Sequence, residues 1–237
     1  MTQIMATAHG PITAFLPCRK GSERVPRKNI RPFGPFEHGL VEIKLGQLLT
    51  CPEIDHVVLS TNDDEIIDFA RSLGAPHLTI HRRAEHLASS ATSTDVLIGH
   101  ARELIGSGHI LWTHVTSPFV RAALYTEIIA AYFGGLEEGY DSLMTTTPLH
   151  AFLWTEAGPL TYDRSVEKWP RTQTLAPVQE VNSAVFLASV DVYARYEDRI
   201  GERPNLYPLD RLIALDIDWD HDFVIAEQLL FKNLVAI

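Results

Sequence analysis

A chain of 237 residues, 46% hydrophobic, can bury one substantial core and fits a single large α/β domain. Its formal net charge of −10 argues against a nucleic-acid partner, because phosphate backbones ask for a basic face over much of a protein. Cys18 and Cys51, far apart and in no metal-type spacing, argue against a disulfide framework; a reducing compartment, the cytoplasm, is the expected location.

Residues 1–11, "MTQIMATAHGP", have neither a basic start nor a long apolar run and read as a flexible tail rather than a signal peptide. No stretch approaches the roughly 20 apolar residues of a membrane span, so no membrane partner is expected. The single domain then runs from 12 to 237. "ITAFLPC", residues 12–18, is a short apolar run ending in a loop, as a buried parallel strand does. "GLVEIKLGQLLTC" spaces Leu40, Ile43, Leu45, Leu48 and Leu49 as a helix would, and "HVVLST" reads as a second strand. In "NDDEIIDFARSLGA" an Asx residue caps a helix with acidic residues in its first turn, and Gly74 closes it. "LTIHR", a helix near 94–105, "HILWTHV" and a helix from about Ala122 to Tyr132 continue the alternation. The expected fold is α/β: a Rossmann-like, doubly wound, mostly parallel sheet, with ligands beyond the carboxyl ends of its strands.

The rhythm changes between about 141 and 180. "DSLMTTTPLHAFLW" looks extended, and "TEAGPLTYDRSVEKWPRTQTLAPVQE" has no period, so this region reads as an inserted arm suited to dimerisation or to closing over a substrate. Strand "VNSAVFLAS", a short helix at Val192–Tyr196, strand "IALDID" and an amphipathic helix follow. That last helix carries Phe223, Ala226, Leu229, Leu230 and Leu234 on one face.

The first loop crowds Arg19, Lys20, Arg24, Arg27, Lys28 and Arg31 around a Gly21-Ser22 turn. Exposed backbone N–H groups beside Arg and Lys suit a polyphosphate, and such cations stabilise charge that develops during phosphoryl transfer. A solvated charged turn is the competing reading; no Walker or G-x-G-x-x-G pattern is present. In "LDIDWD", a strand would turn Asp216 and Asp218 to one side, where Mg²⁺ would relieve their repulsion. The plainer reading has them end the strand, with Asp220 capping the next helix. Arg83, with Arg82, stands at a strand end and reaches either an anion or solvent. Arg121 starts a helix beside a strand end, where anions gather. Arg171 and Gln173 lie in the arm and are candidates to touch an acceptor. His77, His81, His100 and His109 show no zinc spacing and read as structural or surface residues, and Cys18 reads as a packed side chain.

"LPCRKGSERVPRKNI" resembles the signature of the sugar-acid cytidylyltransferases, the CMP-sialic acid synthetase (acylneuraminate cytidylyltransferase) family. Ordered segments follow, among them "HRRAEHLASSATSTDVLIGHA", "HVTSPFVR", "VQEVNSAVFLAS" and "LDIDWDHDFVIAEQLL", so the resemblance spans the chain from Ile12 onward. It implies a nucleotide-diphospho-sugar transferase fold and a Mg²⁺-dependent enzyme, with CTP over the first loop. Arg19, Gly21, Ser22 and Lys28 would serve its phosphates, with Asn29, Arg83, His114 and Ser117 at the nucleotide. Asp216 and Asp218 would hold Mg²⁺, and Arg121, Gln173 and Asn182 would meet the sugar. The anomeric hydroxyl of a nonulosonic acid would attack the α-phosphate in what is expected to be a homodimer. The chain departs from the family pattern at Glu23, His114, Val181 and Ser183, positions where members carry Lys, Gln, Glu and Gly. Sialic, pseudaminic, legionaminic and ketodeoxynonulosonic acids all stay open as acceptors. The alternatives are a cytidylyltransferase for another keto sugar acid, a different sugar nucleotidylyltransferase, and a catalytically silent nucleotide-binding homologue.

Overall fold

The computed structural model describes residues 9–22, 24–89 and 91–237. Most of the expected tail, and Glu23 of the basic loop, lie outside the described residues. The elements in chain order are β1 (Ile12–Pro17), α1 (Gly39–Leu49), β2 (His56–Thr61), α2 (Asp64–Ser72), β3 (Leu78–Arg82), α3 (Thr94–Ile105), β4 (His109–Thr113), α4 (Ala122–Glu137) and β5 (Ser142–Leu149). A small hairpin of β6 (Trp154–Thr155) and β7 (Gly158–Pro159) follows, then β8 (Val178–Ser189), α5 (Val190–Tyr196), β9 (Pro204–Pro208) and α6 (Asp220–Phe231).

Seven strands form one sheet in the order β3-β2-β1-β4-β8-β5-β9. All neighbours are parallel except those of β8, which runs against both β4 and β5. Side chains on consecutive strand residues point to opposite faces, so one strand feeds two cores. Ile12, Ala14 and Leu16 of β1 join Val57, Leu59, Leu111, Val185 and Leu187 on the larger face, packed by α1, α2, α4 and α6. Phe15, Val58, Trp112 and Phe186 point the other way, beneath α3 and α5. Helices therefore cover both faces, as the alternating pattern predicts.

Helix starts follow the expected chemistry. The Asp63 carboxylate accepts from the Glu65 N–H at 3.1 Å, and the Ser93 and Ser189 hydroxyls accept from Val96 and Val192. Each such cap is worth about 1 kcal/mol.

Three segments differ from expectation. Residues 142–149, read as part of the arm, form β5 inside the main sheet, so the excursion is confined to about 150–177, with the hairpin and a 3₁₀ turn at Thr172–Thr174. Strand β9 escapes sequence reading because Pro brackets it and no alternation marks it; Pro is tolerated there because β9 is an edge strand. "IALDID" is not a strand. After β9 the chain turns on Asp210, whose carbonyl accepts from Ala214 N–H, and then crosses the carboxyl ends of the strands. There Ile217 N–H donates to the Thr116 carbonyl at 2.9 Å. Ile217 is fully buried while its two Asp neighbours are not, so a local alternation survives without a sheet partner. The cap of α6 also differs: the Asp222 carboxylate accepts from the Asp218 and Trp219 N–H groups, whereas Asp220 pairs with Arg31 at 3.1 Å. Among the described residues no helix is long and apolar enough to cross a membrane.

Candidate active site

Parallel strands β1 to β4 all end at one edge of the sheet, and β8, running the other way, brings its early residues Asn182 and Ser183 to that same edge. A cleft of about 620 Å³ opens there. The basic loop forms one wall. Its backbone continues the sheet through Cys18 N–H, which donates to Ser60 O at 2.9 Å, and through Lys20 N–H, which donates to the Asn62 side chain. Gly21 takes a φ of +79°, which a side chain resists, and Arg19 folds over it to donate to the Gly21 carbonyl at 3.0 Å. Asn29 donates to the Arg19 carbonyl at 2.9 Å, pinning the start of the loop to its end. At the exit Gly39 has a φ of +59°, and a Cβ there would lie 1.9 Å from the Arg31 carbonyl oxygen, so only glycine lets the loop close onto α1.

The opposite wall carries the carboxylates. Lys28 Nζ donates to the Ile217 carbonyl at 2.7 Å and to Asp218 Oδ1 at 3.2 Å, and Arg24 reaches Asp218 Oδ2 at 3.2 Å. Arg24 also lies over the Trp219 ring and Arg31 over Phe223. The loop cations therefore dock the 216–223 segment. Asp216 faces the same cleft with its Oδ1 buried and without a hydrogen-bond partner. Burial, reinforced by the Asp218 charge, holds its pKa above the usual carboxylate value. Among the described residues no three His, Cys, Asp or Glu side chains gather as a metal cage. Two carboxylates, one of them short of a partner, match the donor set of Mg²⁺, which takes one or two carboxylates and completes its shell with substrate oxygens and water. The residues present fit that ion.

Of the remaining sequence candidates, Ser22, Arg83 and His114 line the cleft. Arg83 is almost fully buried, donates to the Ser60 hydroxyl at 3.1 Å, and is lowered to about 10 by burial. His114 is pushed down to about 3, chiefly by burial and then by the nearby Arg199 charge. Its Nε2 accepts from the Trp112 indole N–H at 3.0 Å, so the neutral ring keeps its proton on Nδ1. Four candidates are placed otherwise. Ser117 is buried behind the cleft, and its carbonyl accepts from Lys44. Arg121 is exposed at the start of α4, and Gln173 is exposed on the arm. Asn182 turns into the sheet, accepting from Thr145 Oγ1 at 2.7 Å and donating to Thr147 Oγ1, so its neighbour Ser183, at a φ of +59°, faces the cleft in its stead. Cys18 is buried and its thiol is pushed up to about 12 by burial, as befits a packing residue.

A model of the cytidylyltransferase family matches residues 13–232. The chain belongs to that family. Its relatives include a pseudaminic acid cytidylyltransferase of Campylobacter jejuni, 29% identical over 142 residues, which cover 60% of this chain and 57% of that protein. The chain thus matches little more than half the length of that relative. The post-translational flagellin modification protein B of Campylobacter coli is 25% identical over 92% of this chain and 94% of its own. In fold, the chain is similar to a CMP:2-keto-3-deoxy-manno-octonic acid synthetase complexed with CTP, at a TM-score of 0.66 and 13% identity, with 94% of this chain and 100% of that one covered.

The cleft and its supports also include residues that sequence reading passed over. Lys44 is fully buried, with Nζ donating to the Ser117 carbonyl at 2.8 Å and sitting 3.0 Å from the Tyr125 hydroxyl. Burial alone holds its pKa well below the usual lysine value. It fixes the turn that carries Thr116 to the cleft; a lysine among the apolar residues of α1 was the available signal. Trp112 and Arg199 line the cleft too, and nothing in their spacing distinguishes them; Ser183, singled out in the sequence only as a departure from the family pattern, lines it as well.

Proposed function

We propose that the protein is a Mg²⁺-dependent nucleotidyltransferase that joins the CMP of CTP to a nonulosonic acid and releases pyrophosphate. The observation that carries this reading is the meeting, in one cleft, of a cationic loop with a pair of carboxylates from the far end of the chain. Arg19, Ser22 and Lys28 bind the triphosphate, with Gly21 exposing its backbone, and Asn29, Arg83 and His114 hold the rest of the nucleotide. Asp216 and Asp218 hold the metal, which when bound neutralises phosphate charge. The anomeric hydroxyl forms a new P–O bond at the α-phosphorus. The α–β anhydride bond breaks, its electron pair leaves with pyrophosphate, and the hydroxyl proton passes to solvent. Positioning and fixed charge suffice for such a step, and no covalent nucleophile is needed.

The relatives named for pseudaminic acid favour a nine-carbon keto acid as acceptor. The arm supports a homodimer: Leu160, Val166 and Trp169 are exposed on it, a density of apolar surface that suits a second subunit. The test is pyrophosphate release from CTP with Mg²⁺ across sialic, ketodeoxynonulosonic, pseudaminic, legionaminic and eight-carbon keto acids, with UTP and ATP as controls. Turnover with CTP and a nine-carbon acid is expected. A protein that binds CTP yet releases pyrophosphate with none of them would instead be a silent homologue.

A further inference from the structure

We propose that Arg199 binds the carboxylate of the acceptor and so selects sugar acids over neutral sugars. This assignment rests on the transferase reading above and deepens it.

Arg199 follows α5 and lines the same cleft as the phosphate loop. Its guanidinium lies 3.6 Å from the centre of the Phe186 ring and 5.2 Å from that of Trp112. Those two aromatics are register partners on β4 and β8, so the cation rests on a flat apolar floor. Partial burial of the guanidinium lowers its pKa from the usual arginine value. A charge in that position is expected to have a partner. The other cations of the cleft have theirs: Arg24 and Lys28 meet Asp218, Arg83 meets Ser60, and Arg19 meets the Gly21 carbonyl. Among the described residues the Arg199 guanidinium has neither an ion pair nor a hydrogen bond. Its neighbour Asp198 turns to accept from the Arg199 backbone N–H at 2.6 Å. A half-buried cation that is stacked and unpaired, but open to a substrate cleft, is built for an anion that arrives with the substrate.

Placement says which anion. The loop cations stand over β1, while Arg199 stands over β4 and β8 on the other flank. β4 is the direct neighbour of β1 and β8 the next strand, and both groups line the one cleft. In a 2-keto sugar acid the carboxylate is bonded to the carbon that bears the attacking hydroxyl. With that hydroxyl directed at the α-phosphorus, the carboxylate falls beside the triphosphate and needs a cation of its own. The planar fork of arginine matches it in a bidentate pair, which a neutral sugar cannot form.

The test uses the full chain, with the acid of the panel that turns over fastest and its methyl ester, assayed with wild type and Arg199→Met. Methionine keeps the stem over the aromatic floor and removes the charge. Loss of a charged hydrogen-bond pair should lower kcat/KM for the acid roughly 10- to 100-fold, while the CTP affinity by calorimetry stays within about two-fold. The ester should be poorer than the acid in wild type by a similar factor and equal to it in Arg199→Met. Should the methionine variant fail to fold, Arg199→Lys, which keeps the charge and loses the fork, should show an acid-to-ester ratio between wild type and unity. An acid preference as large in the variants as in wild type would place the carboxylate elsewhere. Weaker CTP binding with an unchanged acceptor KM would assign Arg199 to the nucleotide. A wild type that releases pyrophosphate with no acid refutes the transferase reading and takes this assignment with it, whereas the first two outcomes arise in an active enzyme and refute Arg199 alone.

Discussion

Replacing Lys28 by Met separates a structural tie from a catalytic charge, because the two roles predict losses of different size. Nζ donates to the Ile217 carbonyl at 2.7 Å and to Asp218 at 3.2 Å from a side chain that is only 12% exposed. The bond to the carbonyl, from a charged donor, is worth about 1.5–3 kcal/mol. The pair with Asp218 is worth less, because that carboxylate is 46% exposed and Arg24 still neutralises it, so at most about 1 kcal/mol is added. Methionine retains the packing of the stem. A net loss of about 2 kcal/mol corresponds to a fall in Tm of roughly 4–8 °C for a chain of this size, and the variant stays folded at 25 °C. If Lys28 also neutralises charge on the triphosphate, kcat/KM for CTP should fall by about 10²–10³, the cost of removing one pre-organised donor from a transition state. The two readouts are a melting curve and initial-rate pyrophosphate release with CTP varied, on the same preparation. A Tm shift of the stated size with kcat/KM within about five-fold of wild type would make Lys28 a tie between loop and carboxylate segment and nothing more.

Asp218→Asn should cost at least about 100-fold in turnover while moving Tm by only a few degrees, since it removes a metal charge from a half-exposed side chain. Chelation should silence wild type and added Mg²⁺ restore it; a near-normal rate in Asp218→Asn would remove the metal role. His100, on α3, hydrogen-bonds with Ser60 and is held down to about 4, by burial first and then by His81 and Arg83. The unfolded chain takes up a proton there below about 6.5 while the folded chain does not until about 4, so the unfolded state binds more protons in that window and stability falls as pH drops through it. His100→Asn should flatten that dependence in melting curves between the two pH values. A difference between the variant and wild type that does not change with pH would contradict the assigned cause.

Much of the fold was legible because strand and helix signals are local. The apolar run at 12–17, the Asx cap at Asp63 and the closing Gly74 each act within a few residues of themselves, and the alternation they build fixes a parallel sheet and the edge at which its loops gather. The basic loop was legible for the same reason: its charge is dense in sequence, and Gly21 declares its turn. The resemblance to the cytidylyltransferases then tied the loop to Asp216 and Asp218, and the family match agrees with it.

Sequence spacing could not say what covers a residue once the chain has folded. Ser117 and Asn182 look like substrate contacts in their motifs, yet the first is buried behind the cleft and the second is consumed by Thr145 and Thr147. Residues 214–218 alternate as a strand would, but β9 already holds the sheet edge, so they cross the strand ends as a connection. Arg199 carries no pattern at all; only the pairing of β4 with β8 sets Trp112 beside Phe186 and makes a floor for its charge. Elements and charged loops come from neighbours in the chain and were readable there. Which side chain faces the cleft, and which charge lacks a partner, depends on contacts between residues far apart in sequence, and only the tertiary structure decides them.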